Sequence, residues 1–135
     1  MTSDEIEQLL RDHFPAAVGF AKITRVEGDA LDLIVPYKPE YLRPGGTLSG
    51  PTLFTAADTA LYFLILSKLG PFALAVTTQM SINFLKKPPA KDLLASAKLL
   101  KLGRGLVVGE VSLFDAEKTL VAHAVGTYSL PRSDR

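Results

Sequence analysis

The sequence of 135 residues predicts an α+β fold, an antiparallel sheet packed against one long helix. Three observations lead there. The stretch "SGPTLFTAADTALYFLILSK" (49–68) is apolar almost throughout and reads as a single buried helix. Nearly everything after it has strand character, in runs separated by Gly and Pro. Consecutive strands without intervening helices favour an antiparallel sheet with the helix on one face.

Taken in order, Thr2 and Glu5 have capping-box spacing, and Ile6, Leu9, Leu10 and His13 then share one helical face, so residues 1–14 read as a short helix ending before Pro15. Ala17 to Arg25 and Ala30 to Tyr37 read as two strands around the turn "EGD". "KPEYLRPGG" is a loop by its Pro and Gly content and leads into the long helix, 49–69. Gly70 followed by Pro71 closes that helix. On the next strand Val76, Thr78, Met80, Ile82 and Phe84 alternate with Thr77, Gln79, Ser81 and Asn83, which places Thr77 on the opposite face from Met80. After "KKPPAKD", Asp92 to Lys101 and Leu106 to Phe114 form a hairpin across "LGRG", and a turn at "DAEK" leads to a last strand, Leu120 to Leu130. A single sheet around one helix leaves edges and a face open, and a second copy of the chain is the natural cover.

Composition bounds the function. With 47% hydrophobic and 21% charged residues the chain is globular rather than disordered, and its length fits one domain, 1–135. A net charge of +1 argues against nucleic acid or an anionic membrane as the main partner. The absence of cysteine removes disulfides, thiolate nucleophiles and cysteine metal ligands, and fits a reducing compartment. The acidic, amphipathic start is unlike a secretory or transit signal. The apolar run from Leu53 to Leu66 contains Asp58 and falls short of the roughly 20 residues of a bilayer span. The expectation is a soluble cytoplasmic protein. His13 and His123 are far apart, with no cysteine and no HExxH-type spacing, so no metal is expected, and no other cofactor. No Gly-x-Ser-x-Gly elbow, phosphate loop or dinucleotide fingerprint occurs.

One residue stands out. Asp58 is the only charged group between Arg43 and Lys68, in the middle of the apolar helix. A desolvated carboxylate without partners is expensive. Asp58 is therefore either a structural group bonded to Thr55, Thr59 or the backbone, or a functional one.

The order of elements, together with "GTLSGPTLFTAADTA", "VTTQMSINFLKKP", "GRGLVVGEVSLFD" and "LVAHAVGTYSLP", resembles the acyl-CoA thioesterase branch of the hotdog fold, which includes the phenylacetate-degradation and 4-hydroxybenzoyl-CoA thioesterases. The likeness covers about residues 15 to 131. It implies an antiparallel sheet wrapped around the long helix, and hydrolysis of a thioester to a carboxylic acid and free coenzyme A. In that family the long helix typically begins His-Gly-Gly, with an acid eight residues after the first glycine; here the positions are Ser49, Gly50, Pro51 and Asp58. The resemblance implies that Asp58 is general base or nucleophile, that the Gly50 N–H binds the thioester oxygen, and that Thr77 or Ser49 orients water or substrate. It implies that coenzyme A phosphates lie near Lys86, Lys87, Lys91, Lys101, Gly103 and Arg104, and that Phe54, Leu61, Tyr62 and Phe84 shape the acyl site. The assembly it implies is at least a homodimer, plausibly a tetramer, with Asp58 and Gly50 of one site drawn from different chains.

Three positions depart from the family pattern: Ser49 for histidine, Pro51 for the second glycine, and Arg43 where many relatives carry asparagine. Pro51 has no N–H to give but suits the first turn of a helix. Arg43 is expected among the substrate-binding residues, and a pairing with Asp58 would lower that carboxylate's pKa and weaken it as a base. A non-catalytic protein that binds acyl-CoA or an acyl carrier is the alternative, and a hotdog dehydratase is a weaker one because it needs a catalytic histidine and His123 is poorly placed.

Overall fold

Six antiparallel strands curve around one long helix in a computed structural model that describes residues 1–71 and 74–131. The N-terminal helix α1 spans Ser3–His13, capped by Thr2 and Glu5 in the expected capping box, and it buries Ile6 and Leu10 against the rest of the chain. The Thr2 N–H holds the Glu5 carboxyl below its ordinary range. Strands β1 (Lys22–Glu27) and β2 (Ala30–Val35) follow, then α2 (Gly50–Leu69), β3 (Val76–Phe84), β4 (Leu93–Leu102), β5 (Leu106–Phe114) and β6 (Leu120–Ser129). The sheet order is β1-β2-β4-β5-β6-β3, so the chain crosses the sheet through α2 and returns along the opposite edge from β1.

The first strand begins later than its sequence suggests. Pro15 starts a 3₁₀ turn, Pro15–Ala17, and Gly19 adopts a positive φ of 88°, so 17–21 form a connector rather than a strand. The loop before α2 carries a second 3₁₀ turn, Pro39–Tyr41, and a bridge between Leu42 and Leu48.

Helix α2 lies across the inner face of the sheet. Ser49 caps it, its hydroxyl accepting from the Thr52 N–H at 3.3 Å, and Gly70 closes it with a φ of 88°. By length and mean hydropathy α2 matches a bilayer span after all, but 11 of its 20 residues are buried inside this fold. The contact with the sheet is close where β5 and β6 each carry a glycine. Gly109 and Gly126 are register partners, and Leu61 fills the notch between them. A β-carbon at Gly109 would overlap the Leu61 side chain, and one at Gly126 would come within 3.0 Å of it. Leu61 is thus fully buried against the sheet, which corrects the expectation that it shapes an acyl site.

The other face of α2 is open. Pro51, Phe54 and Thr55 are exposed and Asp58 half-buried, so the helix is not covered on every side within one chain. Edge strand β3 runs beside this open face and exposes Val76 and Phe84.

Candidate active site

Three elements bring three polar side chains together on the open side of α2. Asp58 comes from the middle of the helix, Thr77 from the start of β3 and Tyr128 from the end of β6. Thr77 and Tyr128 are register partners across the β3–β6 pair, which fixes them side by side. The Thr77 hydroxyl donates to Asp58 Oδ1 at 2.7 Å, and the Tyr128 hydroxyl donates to the same oxygen at 2.6 Å. The Tyr128 hydroxyl also lies 3.0 Å from the Asp58 carbonyl oxygen. Asp58 Oδ2 has no protein donor among the described residues. The partners of Asp58 are therefore neither Thr55 nor Thr59; the Thr55 hydroxyl is spent on the Pro51 carbonyl, one turn back.

Thr77 faces the helix because β3 is irregular. The register slips between Thr77 and Gln79, a bulge that places Thr78 out of step and turns its hydroxyl to the Thr127 carbonyl. Strict alternation puts Thr77 on the face away from Met80; the extra residue re-aims it inward.

Tyr128 is the group sequence reasoning missed. An inward-facing tyrosine at a period-two position reads as core, and it is in fact only 3% exposed, its ring stacked on Tyr62 at 6.1 Å. Burial first, and then the neighbouring Asp58 carboxylate, push its hydroxyl far above the ordinary tyrosine range, so it stays protonated and donates. Burial also raises Tyr62.

These groups sit at the wall of a cavity of about 690 Å³. Its lining is largely aromatic and apolar, with Phe14 and Phe20 from the α1–β1 connection, Tyr62 and Phe63 from α2, and Val76 from β3, and its polar members include Thr55, Asp58, Thr59 and Thr77. A second recess of about 360 Å³ surrounds the N-terminus of α2. It is lined by Gly50, Arg43, Phe84, Lys86 and Lys87. The Gly50 N–H has no backbone acceptor among the described residues, as expected of a first-turn amide.

Several expected neighbours are thus kept apart. Arg43 lies with Gly50, not with Asp58, so within one chain it supplies no counter-charge to that carboxylate. Ser49 is occupied as the helix cap, its hydroxyl 2.9 Å from the Thr52 hydroxyl. Phe54 is 39% exposed on the open helix face and does not line the aromatic cavity. The basic residues do not form one patch. Lys86 and Lys87 follow the last residue of β3, whereas Lys101, Gly103 and Arg104 occupy the β4–β5 hairpin, beside the first residue of β3 through the Leu106–Ser129–Val76 register. Nine residues of β3 separate the two groups, about 30 Å. Gly103 also has a structural reason to be glycine, since a β-carbon there would meet the Leu106 carbonyl oxygen at 2.7 Å.

Asp58 and Gly50 are eight positions apart on one straight helix, about 12 Å along its axis. A base and an oxyanion donor that act on one carbonyl carbon must lie within a few ångströms of it. One chain cannot supply both to the same carbonyl.

The family model described as the thioesterase superfamily matches residues 45–122, more than half of the chain. A candidate thioesterase from Silicibacter sp. TM1040, known by crystal structure, is 38% identical over 97% of this chain and 92% of its own, with a TM-score of 0.86. The E. coli PaaI protein from the phenylacetic acid degradation operon shares the fold at a TM-score of 0.80 and 20% identity, covering 97% of this chain and 96% of its own. Among curated sequences a candidate esterase of Saccharolobus solfataricus is 29% identical over 83% of this chain and 79% of its own.

Proposed function

The chain belongs to the thioesterase superfamily, with the hotdog fold of that group, and from this premise we propose that it hydrolyses acyl-CoA thioesters with Asp58 as the general base. Thioester hydrolysis in general follows from the family. The finer reading rests on one observation: a carboxylate that lines a largely apolar cavity and is held by two hydroxyls through one oxygen, its other oxygen without a protein donor among the described residues.

Water adds its oxygen to the thioester carbonyl carbon as its proton passes to Asp58 Oδ2. The tetrahedral oxyanion is met by the Gly50 N–H, where the N-terminal end of α2 adds a partial positive charge. The carbon–sulfur bond then breaks, and the proton returns to the leaving sulfur. Thr77 positions the base, and Ser49 fixes the helix start that presents Gly50. Because Gly50 and Asp58 are about 12 Å apart along α2, the Gly50 of each site comes from a second copy, docked along β3 and the open face of α2. In such a pair Phe54 and Phe84, exposed in one chain, become covered. Lys86, Lys87 and Arg43 then lie at the mouth of the partner's aromatic cavity, as cations for the coenzyme A phosphates. The aromatic lining takes the acyl group.

A non-catalytic acyl-CoA binder is the competing reading, favoured by the absence of an N–H at Pro51 and the occupation of the Ser49 hydroxyl by the cap. Free-thiol release from a panel of short, medium, long and aromatic acyl-CoAs separates the two, with wild type and Asp58→Asn run side by side and binding measured independently. Turnover that is lost in the variant while binding persists upholds the enzyme. Tight binding without turnover in the wild type sinks it.

A further inference from the structure

Tyr128 lies on the last strand, 70 residues from Asp58 in sequence, and its hydroxyl ends 2.6 Å from Asp58 Oδ1. We infer that Tyr128 is a positioning residue for the base: with Thr77 it saturates Oδ1, so that the carboxylate is held in one orientation and Oδ2 alone meets water. The inference rests on the reading of Asp58 as the base.

The geometry distinguishes this from an ordinary buried tyrosine finding a partner. A carboxylate oxygen has two acceptor sites, and here both go to hydroxyls, one from each of two paired strands. The Asp58 carbonyl at 3.0 Å would satisfy the Tyr128 hydroxyl by itself, yet the shorter contact is to the carboxylate. The ring cannot swing away, because it is buried and stacked on Tyr62. Nor does the hydroxyl cease to be a donor at working pH, since burial keeps it protonated. Side-chain rotation of an aspartate is otherwise free about two bonds, and each wrong orientation removes the base from reach of its water. The Asp58 carbonyl oxygen, 3.0 Å from the Tyr128 hydroxyl, is the longer and competing acceptor of that hydroxyl's single proton.

Tyr128→Phe deletes the hydroxyl and keeps the stacked ring. With the best acyl-CoA of the panel, kcat should fall about tenfold with KM little changed, as for loss of one hydrogen bond to a charged group. In the Asp58→Asn background the same change should cause no further fall, because the hydroxyl acts through the carboxylate. A Tyr128→Phe variant with unchanged kcat, in a protein whose turnover Asp58→Asn abolishes, overturns the positioning role and leaves the base intact. Full turnover in Asp58→Asn, or none in the wild type, overturns the reading of Asp58 and this inference with it. If Tyr128→Phe does not fold, proton NMR of the wild type decides. A downfield, exchange-protected tyrosine hydroxyl that moves upfield in Asp58→Asn upholds the contact, and the absence of any such resonance overturns it.

Discussion

Two aspartates of this chain are each held at one oxygen by two donors, and they have opposite characters. Asp115 Oδ1 accepts from the Glu117 and Thr119 N–H groups at 2.9 Å each, and the residue is 3% exposed. Both its donors are backbone and lie within four residues, so the carboxylate organises the β5–β6 turn, where Lys118 takes a positive φ of 67°. Asp58 is less buried, yet its donors are side chains 19 and 70 residues away, and the residue lines a cavity. Burial alone does not distinguish the two carboxylates. The origin of their donors and the cavity beside Asp58 do.

That comparison can be broken by substitution. Asp58→Asn should lower kcat by about 10³-fold, within the range for losing a general base, and leave thermal unfolding nearly unchanged. Asp115→Ala should leave kcat per folded molecule as it is. Equal losses of kcat in both would erase the distinction.

Gly50→Pro tests the N-terminal end of the helix. It removes the N–H and should lower kcat about 10² to 10³-fold, as for one oxyanion donor, while Gly50→Ala, which keeps the N–H, should retain most activity. The preceding Ser49 already has an extended φ of −76° and ψ of 153°, suited to a following proline. A β-carbon at residue 50 meets the Phe84 ring only at an ordinary 3.5 Å. If the two variants behave alike, the amide has no part in turnover. Mixing Gly50→Pro with Asp58→Asn protein and re-associating the subunits should restore a fraction of activity, because one site of each mixed dimer is then intact.

The turn aspartate should show itself in stability instead. Asp115→Ala strands two amides and should lower the unfolding free energy by about 1 to 3 kcal/mol, read from the urea midpoint.

The smallest effect concerns alkaline pH. The Tyr128 hydroxyl ionises at about pH 10 in the unfolded chain and well above that in the fold, so the folded state keeps its proton longer. Stability from this group is whole below pH 10 and falls above it, by about 1.4 kcal/mol for each further pH unit until the folded state ionises. Urea midpoints at pH 9 and 11 should drop more in wild type than in Tyr128→Phe; equal drops would mean that folding does not raise the hydroxyl above its ordinary range.

Much of the architecture is legible along the chain, and for local reasons. Thr2 and Glu5 cap α1, Ser49 and Gly70 bound α2, alternating residues mark β2, and turn residues separate β4, β5 and β6, because caps, turns and strand faces depend on neighbours a few residues away. Asp58 is visible as a lone charge in an apolar helix. The misreadings have physical causes as well. Residues 17–21 have strand composition but follow Pro15 and contain Gly19, whose backbone geometries make a connector. Leu61 looks like any other apolar helix residue, and only the glycine pair opposite it shows that it faces the sheet.

By itself, then, the sequence determined the helix and strand inventory, the antiparallel class and the unusual carboxylate, since periodicity and capping are short-range properties. The tertiary structure decided which groups meet that carboxylate. Thr77 reaches it because one extra residue in β3 turns its side chain, and Tyr128 because the β3–β6 register sets it beside Thr77. It also decided that Gly50, Arg43 and the two lysines lie together at the N-terminal end of α2, apart from Asp58. Those facts depend on strand order and a register slip, which join residues distant in sequence and leave no local pattern to read.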